Sequence, residues 1–186
     1  MVSVMFVDIR GFTSFADRST AREAVDCLNE FFELVIPVLT SHGGHANKLL
    51  GDGLLGVFGA PEPLSDHADR AVAAATDMLG AVEERFGDQL QIGIGVNSGL
   101  VVVGTIGGGG LVELGVIGDP VNVAARVQDA TRELREPLLL TEATRCLLDG
   151  PAGHLEPRGS LSLRGKQAPI AVYGLALRNA FRTPVA

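Results

Sequence analysis

The stretch Lys48-Leu-Leu-Gly-Asp-Gly-Leu-Leu-Gly-Val-Phe58 places one acid, Asp52, between two glycines and two short apolar runs. Such a segment folds most readily as a β-hairpin with a charged tip, because Asp-Gly between apolar strands supplies the positive φ of a tight turn. On this stretch alone Asp52 reads equally well as a turn former and as a functional acid. A second stretch of the same kind shifts the balance: Val4-Met-Phe-Val-Asp8-Ile-Arg-Gly-Phe-Thr-Ser-Phe15 is an apolar strand that ends in an acid and runs into a glycine turn. Two acids therefore stand at two strand ends.

The rest of the chain alternates strand and helix signals. Residues 2–7 are apolar and largely β-branched, a buried strand that delivers Asp8 to its end. Apolar positions from Ala21 to Leu39 recur at helical spacing, which predicts an amphipathic helix over 18–41, kinked or split near Pro37 and ended by Gly43-Gly44. His45–Leu50 and Leu54–Phe58 are the hairpin strands, and Asp66 is placed to cap an alanine-rich helix over 67–86. Gln91–Asn97 alternates, with glycines where another backbone can approach closely. Ser98-Gly99 reads as a turn into a strand over Leu100–Ile106, and Gly107 to Gly110 as a flexible loop leading to Leu111–Ile117. No helix start or Lys-Ser/Thr follows that glycine run, so it lacks the marks of a phosphate cradle.

Gly118-Asp119-Pro120 predicts a helix start, with Asp119 as N-cap, Pro120 at the first helical position and the helix running to about Thr131. Asn122 and Arg126 are four apart, so they share a face near the positive end of the helix dipole. A short strand and helix over 138–148 follow. A strand pair, Leu161–Gly165 with Ile170–Leu175, closes the order, with Arg164 and Lys166 near its turn. This succession predicts an α+β sandwich with helices on one face of a largely antiparallel sheet.

With 186 residues, 46% of them hydrophobic, the chain can bury one full core, and no low-complexity linker divides it. Residues 1–177 read as one domain and 178–186 as a frayed tail. The net charge of -7 argues against a nucleic-acid surface, and an anionic substrate needs local cations instead. No apolar run approaches the ~20 residues of a membrane helix, which predicts no membrane contact by this segment. Cys27 and Cys146 show no metal or disulfide spacing and fit a reducing cytoplasmic location. His42 and His45 flank Gly-Gly without a third ligand and read as loop residues. The chain starts almost directly in a strand, so an upstream regulatory domain is either absent or cut away.

Four segments in this order resemble the class III nucleotidyl cyclase catalytic domain, the adenylyl and guanylyl cyclase family, and mycobacterial members most. They are Phe6-Val-Asp8-Ile-Arg-Gly-Phe-Thr, Lys48-Leu-Leu-Gly-Asp52-Gly, Val96-Asn-Ser-Gly99 and Val116-Ile-Gly-Asp-Pro-Val-Asn122-Val-Ala-Ala-Arg126. The resemblance covers roughly residues 2–176 and implies a ferredoxin-like βααββαβ core in which Asp8 and Asp52 converge. It implies two divalent ions, Mg²⁺ or Mn²⁺, held by Asp8, Asp52 and the backbone carbonyl of Ile9, with the ribose 3′-hydroxyl attacking the α-phosphorus and pyrophosphate leaving. Asn122 and Arg126 match the pair that orients the ribose and meets charge on the α-phosphoryl oxygens, and Arg164 stands where the family carries a lysine for the terminal phosphates. In the family the metal ligands and the transition-state pair of one site come from opposite subunits, which implies a head-to-tail homodimer with two shared sites.

Base choice departs from the pattern. Lys48 matches the adenine-specifying lysine, but its acidic or Thr partner falls on Gly115. Glu113, two residues away on the same strand face, is a substitute acceptor; Gly115 itself is otherwise a bulge or a close backbone contact. The resemblance thus implies ATP as preferred substrate, with weaker selectivity over GTP than a Lys/Asp pair gives. Its rivals are a guanylyl or mixed-specificity cyclase, and a catalytically silent domain that binds nucleotide or only dimerises.

Overall fold

A computed structural model describes residues 1–149, 155–163 and 168–176. Its centre is a seven-stranded sheet. The strands are β1 (Val2–Ile9), β2 (His45–Leu50), β3 (Gly53–Phe58), β4 (Ile92–Gly99), β7 (Leu138–Thr141), β8 (Leu155–Leu161) and β9 (Ile170–Leu175), in spatial order β2-β3-β1-β4-β7-β9-β8. Every pairing is antiparallel except β4 with β7. A separate hairpin of β5 (Val102–Gly108) and β6 (Leu111–Ile117) stands beside it. The helices are α1 (Phe12–Ala16), α2 (Ala21–Ser41), α3 (His67–Phe86), α4 (Asp119–Glu133) and the short α5 (Glu142–Arg145). The α+β class and the antiparallel-dominated sheet are as expected.

Helices cover both faces, not one. Strand alternation sorts β1 into two sets. Met5, Val7 and Ile9 pack with Phe31, Val35 and Leu39 of α2 and with Ala71, Ala74, Ala75 and Met78 of α3. Val2 and Val4 face the other way and pack with Ala124 of α4. Each large apolar side chain so buried is worth about 1.5–3 kcal/mol. The glycines of β4 explain how α4 comes so close. A Cβ on Gly95 would lie 2.6 Å from the Gln128 Cα and 2.7 Å from the Ala124 carbonyl oxygen. Ile92, Ile94 and Val96 meanwhile point into the α2/α3 core. The alternating glycines therefore mark backbone contact, as read, and Gly95→Val would push α4 off the sheet.

Several boundaries differ from the sequence reading, each for a local reason. The helix expected from residue 18 begins at Ala21, because Thr20 and Glu23 form a capping box: the Glu23 N–H donates to Thr20 Oγ1 at 3.3 Å and the Thr20 N–H to Glu23 Oε2 at 2.7 Å. It continues through Pro37 to Ser41 without splitting. The separate α1 was not expected from periodicity, being only five residues long. Asp66 occupies the N-cap position of α3 but caps nothing; its carboxylate accepts from Arg70 Nε at 2.8 Å. Gly118, not Asp119, is the N-cap of α4, which moves Pro120 to the second helical position. Ser98 and Gly99 belong to β4 rather than to a turn, and only Gly109 and Gly110 are left between β5 and β6. The described strand pairing with β9 is 155–161; Leu161 is its last residue, and 164 and 165 of the expected strand 161–165 lie outside the described residues. Among the described residues no helix is long and apolar enough to cross a membrane. The tail 178–186 lies outside the described residues.

Candidate active site

The hairpin register brings the two acids together. Asp8 pairs across β1 with Gly53 on one side and Gly93 on the other, so neither neighbouring strand puts a side chain over its carboxylate. A Cβ on Gly53 would sit 3.2 Å from Asp8 Oδ1 and 2.8 Å from the Val7 carbonyl oxygen. The turn itself is Gly51-Asp52, with Gly51 at φ 69°, so the glycine that supplies the positive φ precedes Asp52 instead of following it. The Ile9 N–H donates to the Asp52 carbonyl at 3.4 Å, a second tie between strand end and turn.

Asp8 is electrostatically out of balance. Burial raises its pKa from 3.8 to about 6, and the neighbouring charge of Asp52 and, less strongly, Asp129 pushes the same way against Arg132. It lines a cavity of about 230 Å³ with Arg10, Gln128, Asp129 and Arg132. Arg10 ties β1 to the far end of α4, its Nη2 donating to the Glu136 carbonyl at 2.6 Å and to that of Thr131 at 3.2 Å. Among the described residues no cluster of three or more His, Cys, Asp or Glu side chains is placed to hold a metal ion. A cation between Asp8 and Asp52 would therefore need further ligands from backbone and bound oxygens, such as the Ile9 carbonyl. Two converging carboxylates with a deficit of positive charge are the hard oxygen donors that Mg²⁺ and Mn²⁺ select.

Lys48 and Glu113 meet on the other arm of the site. Lys48 Nζ lies 2.8 Å from Glu113 Oε1, a bridge between β2 and β6. Beside it the β2 register skips Asn47, whose freed amide Nδ2 donates to the Leu114 carbonyl at 2.8 Å and docks the β5/β6 hairpin. Gly115 lies opposite Gly104 in an unbroken ladder, so it is no bulge. Its missing Cβ makes room for the Ile106 side chain, a close contact with a side chain and not with a backbone.

Asn122 and Arg126 occupy the first two turns of α4, with Asn122 exposed and Arg126 half-buried. Neither lines the cavity beside Asp8. Thr131 sits over Gly93, the strand partner of Asp8, whereas Asn122 is nine residues earlier, roughly 14 Å back along the helix axis. Arg164 and Lys166 lie outside the described residues. Arg132 and Asp129, which border the acid site, were missed because their spacing carries no motif; only proximity in the fold shows them.

A sheet of this order, with paired acids at a strand end and an Asn/Arg helix face, defines a nucleotide cyclase domain. The family model of the adenylate and guanylate cyclase catalytic domain matches residues 1–176, and the chain belongs to that family. An uncharacterized protein of Mycobacterium tuberculosis is 39% identical over 176 residues, which cover 91% of this chain and 30% of the relative. The chain thus spans about a third of the length of the curated relatives it matches. Among solved structures, the guanylyl cyclase Cya2 superposes with a TM-score of 0.87 at 30% identity, covering 100% of this chain and 96% of that one. The adenylyl cyclase CyaB from P. aeruginosa gives 0.84 at 25%, covering 96% and 95%.

Proposed function

We propose that this domain is an adenylyl cyclase that converts ATP to 3′,5′-cyclic AMP and pyrophosphate at a site shared between two head-to-tail copies. The observation that carries the reading is the contact of Lys48 with Glu113, one donor and one acceptor side by side where the family reads the base. Adenine presents N1 as acceptor and its N6 amino group as donor, which this pair complements; guanine reverses the pattern on that edge, although its O6 also accepts from a lysine. Similar structures include both guanylyl and adenylyl cyclases, so base choice rests on these two side chains.

Asp8, Asp52 and the Ile9 carbonyl would hold the divalent ions, which when bound lower the pKa of a coordinated hydroxyl and neutralise phosphate charge. The protein's own work is positioning and charge placement. Asn122 orients the ribose and Arg126 meets charge on the α-phosphoryl oxygens, by the family pattern. The distance along α4 between Asn122 and the level of Asp8 supports a second copy supplying the missing half. Exposed Leu50, Leu100, Val102 and Ile117 around the hairpins offer apolar surface for it.

The test is product formation from ATP and from GTP, each with Mg²⁺ and with Mn²⁺, over a range of protein concentration. Cyclic AMP exceeding cyclic GMP, with specific activity rising as dimers form, is expected. Cyclic GMP in excess would reassign the substrate, and no cyclic product from a folded dimer would leave a silent nucleotide-binding domain.

A further inference from the structure

A chain of buried polar side chains crosses the core without touching the acids or the base pair. His67 Nδ1 lies 2.8 Å from Ser3 Oγ, and Ser3 Oγ lies 2.7 Å from Ser98 Oγ. Ser98 Oγ donates to Thr144 Oγ1 at 3.0 Å, and Thr144 Oγ1 lies 3.4 Å from Thr141 Oγ1. Thr141 Oγ1 donates to Asn97 Oδ1 at 2.7 Å. All six residues are buried, so each polar group left without a partner costs about 1–3 kcal/mol. The run leads out to α4 at Asn97. With its oxygen taken by Thr141, the Asn97 amide is fixed, and its Nδ2 donates to the Pro120 carbonyl at 3.0 Å.

Pro120 is in the first turn of α4, two residues before Asn122. Its ring lies where a side chain on Gly99 would be, close enough that any Cβ there would clash with the Pro120 Cγ. Strand β4 therefore grips this turn twice, by a hydrogen bond from Asn97 and by a steric seat at Gly99. No other side-chain hydrogen bond to a Pro120 atom is found among the described residues. The turn also lacks a side-chain cap, since its N-cap is Gly118. A helix start without a side-chain cap depends on other contacts to hold its first turn, and here that turn leads into Asn122 and, one turn on, Arg126.

We infer that Asn97 is a positioning residue for the cyclase reaction: held by Thr141 and the hydroxyl chain behind it, it seats the first turn of α4 and thereby sets Asn122 and Arg126. The inference rests on the shared-site reading above. It makes Asn97 part of the half-site that α4 supplies, and leaves the acid half of the same chain intact.

The test uses Asn97→Asp, which keeps the size and the acceptor for Thr141 but turns the donor facing Pro120 into an acceptor, with Asn97→Ala as a second variant. A displacement of the order of 1 Å at reacting groups costs about 10²-fold. Cyclic nucleotide turnover is expected to fall about 10- to 100-fold, with the KM for ATP within about twofold, since the base and metal-acid contacts are elsewhere and Arg126 acts on charge that builds in the transition state. Mixing assigns the defect. With Asp52→Ala chains, whose α4 is sound, Asn97→Asp chains should recover activity at one site of the heterodimer; with Arg126→Ala chains they should not. Recovery with Arg126→Ala chains, recovery with neither, or undiminished turnover in both variants would overturn the inference. The mixture of Asp52→Ala with Arg126→Ala chains serves as control. If that pair fails to recover, the shared site itself falls and the inference with it; if the pair recovers and the Asn97→Asp pattern does not follow, only the inference falls.

Discussion

At the tip of β1, Asp8 and Asp52 are like charges brought together by backbone pairing, whereas on β2 and β6 Lys48 and Glu113 are opposite charges that satisfy each other. The first pair is half-buried, and its repulsion is unrelieved without a cation. The second is about half exposed, at 48% and 58%, and is complete without a ligand. A ligand at the acid end relieves repulsion, so binding there contributes affinity. At the Lys48–Glu113 end an adenine bound as proposed would have to loosen an existing contact and replace it with its own, so that end would contribute selection more than affinity. On the proposed reading, the reaction belongs to the unsatisfied end and base choice to the satisfied one.

The sharpest break of this contrast is in turnover. Asp8→Ala or Asp52→Ala is expected to lower cyclic nucleotide formation at least about 10³-fold, because it removes charge that only the reacting complex needs. Lys48→Ala should cost far less, about tenfold. Comparable losses at both ends, measured on folded protein under saturating metal, would erase the distinction between machinery and selector.

Stability should separate the ends next. In metal-free protein the folded state binds a proton at Asp8 up to about pH 6, while the unfolded chain releases it near 3.8. Folded protein then holds more protons than unfolded between these values, so stability falls as pH rises from about 4 to about 6 and stays lower above. Asp8→Asn removes that fall and should raise the thermal midpoint at pH 7 relative to the parent. Added Mn²⁺ should raise the midpoint of the parent above pH 6 and leave that of Asp8→Asn nearly unchanged. Thermal scans at several pH values, with and without metal, check both. A parent whose midpoint is flat from pH 4 to 7 would show that Asp8 does not carry a raised pKa in the folded state.

Much of this was legible in the chain. Asp8 and Asp52 were readable as acids at the ends of apolar strands, their convergence was implied by the family resemblance, and the alternating glycines of β4 marked the close approach of another backbone, which proves to be that of α4. What escaped was set by partners far away in sequence. That α4 lies on the opposite face depends on which side of β4 its glycines face, which period alone does not tell. Glu113 was legible only as an alternative to Gly115, because the docking of β6 on β2 turns on an irregularity at Asn47. The link from Asn97 to Pro120 joins residues 23 apart through a side chain, and no local pattern announces it.

Selection is the subtler readout, and Glu113 is where to make it. Glu113→Gln keeps the length of the side chain but offers a group that both donates and accepts, so it no longer penalises guanine. The ratio of kcat/KM for ATP over GTP should fall about tenfold, in line with about 1–3 kcal/mol for a well-placed base contact. An unchanged ratio would move the selector elsewhere on the β5/β6 arm. Gly115→Asp, which restores the family's acceptor, is not the equivalent experiment, because its side chain would enter the space of Ile106.

The smallest effect completes the contrast. Exposed ion pairs contribute about 0.2–1 kcal/mol, since water screens the charges and ordering two long side chains costs entropy. A double-mutant cycle on unfolding with Lys48→Met and Glu113→Gln should therefore give a coupling below about 1 kcal/mol, and less in high salt. The same cycle on the ATP/GTP ratio should be strongly non-additive, because once one partner is gone the other no longer presents a matched pair. A pair that couples in selection and scarcely in stability is kept for its ligand. A coupling of several kcal/mol in folding would instead make it a strut for the β5/β6 hairpin, and base choice a by-product of holding that hairpin in place.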